Sequence, residues 1–75
     1  MRSPILQALG IEVKERREQC DLSQEALAEA AGVNPNVIGR LERGTSNCKV
    51  LTLFDVARAL DMPLAELIAG AARRR

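Results

Sequence analysis

Between residues 22 and 44 the chain reads LSQEALAEAAGVNPNVIGRLERG, in which helix starts, helix stops and apolar residues at helical spacing leave little room for another structure. Ser23 precedes Gln24 and Glu25, an N-cap followed by an acid that suits the positive end of a helix. The pattern predicts a helix over residues 24–31, with Leu27 and Ala31 turned inward beside Ala28. Gly32 follows as the natural left-handed stop. Val33 then tucks inward, Asn34 caps, and Pro35 takes a first helical position, where its missing N–H is harmless. The next helix spans residues 35–43, with Ile38 and Leu41 as its buried pair and Gly44 as its terminator. Its polar side consists of Asn36, Gly39, Arg40 and Arg43.

The flanking segments continue in the same manner. Ser3 and Pro4 form a cap and first-turn pair for a helix over residues 5–20, where Leu6, Leu9 and Val13 share a face. Gly10 interrupts that pattern, so the part before it reads as a separate turn or frayed extension. Asp21 and Leu22 end the helix. After a polar loop at 45–49, a fourth helix covers 50–61, with Val50, Leu53, Phe54, Ala57 and Leu60 on one face and Leu51 and Val56 partly off it. Pro63 starts a fifth over 64–69, Gly70 ends it, and residues 71–75 read as a basic tail. The chain has 75 residues, 47% of them apolar, with Phe54 as its single aromatic. That suits one all-α domain of five packed helices, with an N-terminal extension at 1–8 and a core at 9–69. A domain this small is marginal alone, so a partner chain is expected to complete some apolar surface.

Catalysis finds little support. The chain has no His, no nucleophile paired with a base and no metal-ligand cluster. Residues 32–39 lack the spacing of a phosphate loop. No cofactor, metal or small-molecule effector is implied. Cys20 and Cys48 have no CxxC spacing; a disulfide is conceivable, and reduced thiols are the reading adopted. No signal core follows Met1 and no apolar run approaches a membrane span, so a cytoplasmic location is expected. A net charge of +1 argues neither for nor against nucleic acid.

Two short helices around a tight turn form a helix-turn-helix arrangement, whose second helix can enter a major groove. Asn36 and Arg40 lie one turn apart on its exposed side, an amide suited to adenine and a guanidinium suited to guanine. The same residues on any helix can simply be solvated, so spacing alone leaves the two readings open.

The segments VKERREQCDLSQEALAEAAGVNPNVIGRLERG and NCKVLTLFDVARALDMPLAEL resemble the Cro/repressor-type (XRE-like) helix-turn-helix domain. The pieces LSQ, LA, AGV, LERG, TL and AxAL fall at that family's spacing, and the similarity runs from about residue 9 to residue 68. Having no second domain in sight, the sequence is most similar to small members such as restriction–modification controller proteins.

The resemblance implies roles. Gln24 matches a Gln that meets a DNA phosphate. Pro35, Asn36 and Arg40 match base-facing positions, flanked by Asn34 and Val37. Arg43, Thr45, Ser46 and Asn47 match backbone-contacting positions. Arg17 and Glu42 match a salt bridge tying the first helix to the third. Departures are Pro35 in place of a long polar side chain, Gly39 in mid-helix, Cys48 in place of a loop Pro, and Thr45 and Ser46 where a cation is usual.

The expected function is a homodimeric, sequence-specific regulator bound to double-stranded DNA. Its interface is expected from Leu60, Met62, Leu64, Leu67 and Ile68. The rival readings are a protein-interaction module on the same fold and a purely structural dimeric bundle.

Overall fold

The computed structural model describes residues 4–45 and 48–74. It contains α1 (Pro4–Gln19), α2 (Gln24–Ala31), α3 (Pro35–Glu42), α4 (Val50–Ala59) and α5 (Leu64–Arg73). Among the described residues there is no strand, so the five-helix, all-α expectation holds. The Ser3 cap lies outside the described residues.

Four of the helices close in the same way. Asp21, Gly32, Gly44 and Asp61 take positive φ of 61°, 73°, 73° and 59°. In each case the next residue's N–H donates to a carbonyl five positions back: Leu22 to Arg17 at 3.1 Å, Val33 to Ala28 at 2.9 Å, Thr45 to Arg40 at 3.1 Å and Met62 to Ala57 at 3.0 Å. This is the Schellman closure, which satisfies carbonyls left over at a helix end. Glycine suits the left-handed residue, and the short polar side chain of Asp is one of the few that tolerates it.

Two glycines behave differently from expectation, both for reasons outside their own helices. Gly10 does not interrupt α1, which runs unbroken from Pro4. A Cβ there would collide with the backbone oxygens of Leu41 and Glu42, the latter at 2.6 Å. The missing side chain thus lets α1 cross the last turn of α3. Gly70 does not end α5, which continues to Arg73 with Gly70 and Ala71 buried. The expected basic tail is therefore corrected: Gly70 lies against the Glu12 side chain, and Arg74 pairs with Glu12 and Glu15 of α1. These ion pairs hold the Arg74 guanidinium further in its charged form, the hydrogen bond to Glu12 foremost.

The core draws on every helix. Val13, Leu27, Ile38, Leu41, Val56, Leu60 and Leu67 have no exposed surface, and full burial of a side chain of this kind is worth about 1.5–3 kcal/mol. Helix α1 packs on α3 and α5, α2 on α3 and α4, and α4 on α5. The face of α4 also needs correction. Its buried stripe is Leu53, Val56, Ala57 and Leu60, at i, i+3, i+4 and i+7. Val50 and Phe54 instead point outward, 70% and 46% exposed, beside Leu51 at 77%. The Arg58 guanidinium lies 5.9 Å from the Phe54 ring centre. No described helix is long and apolar enough to cross a membrane.

Candidate nucleic-acid interface

Local chemistry sets both helices of the 24–42 unit. The Ser23 hydroxyl accepts from the Ala26 N–H at 3.0 Å, which caps α2. The Asn34 Oδ1 accepts from the Asn36 N–H at 2.8 Å, which caps α3, with Pro35 in its first turn. Leu27 and Ala28 of α2 share the core with Ile38 and Leu41 of α3, while Ala31 and Val33 pack against its edge. The three turn residues are therefore each tied down, two by caps and Val33 by its N–H bond to Ala28.

This packing leaves Pro35, Asn36 and Arg40 exposed on the outer side of α3, with Val37 half-buried beside them. Asn36 and Arg40 are four residues apart, so their side chains rise from one face.

An ion-pair network lies along the neighbouring edge. Arg17 donates through Nε to Glu42 Oε2 at 2.7 Å, through Nη2 to Glu42 Oε1 at 3.1 Å and through Nη1 to the Leu22 carbonyl at 2.8 Å. The two side chains are only 12% and 3% exposed. The hydrogen bond to Glu42 holds the Arg17 guanidinium still further in its charged form, against the opposing effect of burial. Gln24 Nε2 donates to Glu42 Oε1 at 3.0 Å, so the residue expected at a phosphate is anchored to the same carboxylate. Residue spacing carries no signal for that contact, because the partners stand far apart in sequence and meet only through the crossing of α2 and α3.

Other expected residues have local duties. The Asn34 side-chain oxygen is committed to its cap, on an exposed residue. Thr45 donates its hydroxyl proton to the Arg40 carbonyl at 3.2 Å, so that proton is not free for a phosphate. Arg43 is exposed at the C-cap of α3. Ser46 and Asn47 lie outside the described residues.

Of the five residues expected at a dimer contact, Leu60 and Leu67 are corrected. Both are fully buried in the monomer and have no surface to offer. Met62 and Leu64 are half-buried against the core, and Ile68 is 44% exposed. Val50 and Phe54, which the spacing placed inward, instead form an exposed apolar surface at the start of α4 together with Leu51, which the spacing placed partly off that face. Its signal was the unusually wide apolar sector of that helix.

Two concavities among the described residues pair no nucleophile with a base. One, of about 520 Å³, is lined by Pro4, Gln7, Ala8, Ile11 and Arg74. The other is lined mainly by charged side chains of α1 and α5. Among the described residues no group of His, Cys, Asp or Glu could hold a metal ion, and both thiols are free.

The sequence pattern of the helix-turn-helix family matches residues 13–67, well over half of the chain and all of the unit built above. The chain belongs to the helix-turn-helix family. Within it the chain is of XRE type. It is similar to control protein C.SmaI of Serratia marcescens, 36% identical over 64 residues that cover 85% of this chain and 76% of that protein. It is also similar to the HTH-type transcriptional regulator SutR of Escherichia coli (strain K12), 37% identical over 60 residues, 80% of this chain. The chain spans 34% of the length of SutR, and about half of two further curated relatives. Among solved structures, the restriction-modification controller protein C.AhdI from Aeromonas hydrophila superposes with a TM-score of 0.81. It is 35% identical, with 83% of this chain and 94% of that one covered.

Proposed function

We propose that this helix-turn-helix chain is a sequence-specific DNA-binding transcriptional regulator that acts as a homodimer on a pseudo-palindromic operator. The observation that carries the proposal is the pair Asn36 and Arg40, exposed one turn apart on a helix whose angle is held by a capped turn. In this reading residues 35–43 enter the major groove. Arg40 reads guanine, Asn36 reads adenine, and Pro35 offers apolar contact to a thymine methyl. Gln24 and Arg43 meet the backbone on the same side, with the N-terminus of α2 favouring a phosphate there. Similarity to C.SmaI, SutR and C.AhdI supports a regulatory role. With a net charge of only +1, affinity depends on two copies acting together. Met62, Leu64 and Ile68 are the remaining candidates for that association.

The exposed Val50, Leu51 and Phe54 favour a second reading, in which the fold serves a protein partner. Selection of bound sites from random DNA discriminates the two. The DNA reading expects paired half-sites about 10 bp apart from centre to centre. It also expects Arg40→Ala to relax the preference at one position of each half-site. Recovery of no enriched sequence, or identical selection by Arg40→Ala, would sink the base-reading assignment.

A further inference from the structure

We infer that Gly39 is a positioning residue for DNA-backbone binding: by carrying no side chain, it seats the Arg43 guanidinium beside the Gln24 amide as one phosphate seat. The inference rests on the DNA reading above and deepens it. Gly39 lies in the middle of α3, where glycine is the least favourable residue after proline. It neighbours the exposed Arg40 on the polar side, yet it is buried. Its cover is visible in the atoms around it. The point where a Cβ would stand is 3.3 Å from Arg43 Nη1 and 3.7 Å from Gln24 Oε1. The guanidinium of Arg43 therefore folds back one helical turn and rests over the glycine, facing the end of the Gln24 side chain.

The orientation of Gln24 follows from its other contact. The Glu42 carboxylate can only accept, so the amide must present Nε2 to it, and that bond is 3.0 Å long. The amide oxygen is then directed at the Gly39 and Arg43 side, where a guanidinium is a fitting neighbour. One amide hydrogen remains for a ligand, next to the N–H groups of the first turn of α2, which have no acceptor within the helix. Guanidinium and amide thus lie together over Gly39 on one edge of α3, two donor groups of the kind an anionic oxygen needs. The seat also supplies what the following loop lacks. Thr45 spends its proton on the Arg40 carbonyl, and no cation stands at 45–47. A methyl at 39 would move the Arg43 tip by a few tenths of an ångström, and a larger side chain would push it off this seat.

The test uses Gly39→Leu, Arg43→Ala and the double variant, each titrated into a labelled random-sequence duplex over a series of salt concentrations. Leucine is a good helix former, so Gly39→Leu should melt no lower than wild type. It should bind about tenfold more weakly, and its salt slope should fall by about one. The double variant should bind no worse than Arg43→Ala, because the glycine acts through the arginine. Gly39→Ala, which asks the arginine to give by only a few tenths of an ångström, should raise the melting temperature while weakening binding slightly. It carries the test if the leucine variant fails to fold. Unchanged salt slopes in both Gly39 variants would overturn the inference, as would an equal further loss on adding Gly39→Leu to Arg43→Ala. Absence of wild-type binding at low salt would instead bring down the DNA reading itself.

Discussion

Truncating Glu42 to alanine should be among the most damaging single changes in this domain, although the residue carries a charge. The carboxylate accepts three hydrogen bonds, two from Arg17 and one from Gln24. Without it the Arg17 guanidinium, in a side chain 12% exposed, keeps only the Leu22 carbonyl. Removing one partner of a buried pair typically costs about 3–5 kcal/mol, because the remaining charge is left uncompensated. Arg17 retains one hydrogen bond and some access to water, so the lower end, about 3 kcal/mol, is expected here. A chain of 75 residues has about 4–11 kcal/mol of total stability, so this loss is a large share of it. Replacing both partners, as in Arg17→Met with Glu42→Leu, should restore stability to within about 1 kcal/mol of wild type, since no charge then remains buried. Urea melts followed by circular dichroism would measure both, provided the slopes agree. A loss below about 0.5 kcal/mol for Glu42→Ala would mean an ordinary surface pair and refute the reasoning. So would a double variant as unstable as the single one.

Two further outcomes follow from the same structure. Gly10→Ala should destabilise by about 2–3 kcal/mol despite the better helix propensity of alanine, because the new Cβ meets backbone oxygens of α3 that cannot swing away. Gly70→Ala should melt close to or above wild type, since only the flexible Glu12 side chain stands in its way; thermal melts of the two variants should diverge. Burial raises the Cys48 thiol above its ordinary range. Its contribution to stability is therefore full below a pH of about 8.5, the unfolded value, and is lost as pH rises through the higher folded value. Urea midpoints of Cys48→Ala should accordingly fall less steeply under alkaline conditions, and a thiol reagent should label the exposed Cys20 before Cys48.

How legible these features were in the sequence depended on the range of the interactions behind them. Ser23, Asn34, Pro35 and Gly32 declare themselves because a cap or a left-handed stop needs only its own few neighbours, and the bounds of α2 matched expectation for that reason. Leu27, Ile38 and Leu41 were equally readable from helical spacing. Gly10 and Gly70 were misread as breaks because their role is set by a helix distant in sequence lying across them. Val50 and Phe54 were misplaced because two overlapping apolar stripes fit α4, and only its packing on α2 and α5 selects between them. The candidate site divides likewise. Asn36 and Arg40 could be picked from their spacing, and the Arg17–Glu42 pair came from family resemblance. The anchoring of Gln24 and the covering of Gly39 depend on the crossing of α2 and α3.

The closures at Gly32 and Asn34 have a mechanical consequence. With a Schellman bond on one side and an asparagine cap on the other, each residue of the three-residue joint is held, so α2 and α3 should move as a single lever. In the proposed complex such a lever cannot adjust its pitch to an imperfect groove. Any mismatch in half-site spacing or groove width would have to be absorbed by bending of the DNA, by the contact between the two copies, or by the long side chain of Arg40. Discrimination among operators would then register how readily a duplex deforms, as well as which base edges it displays.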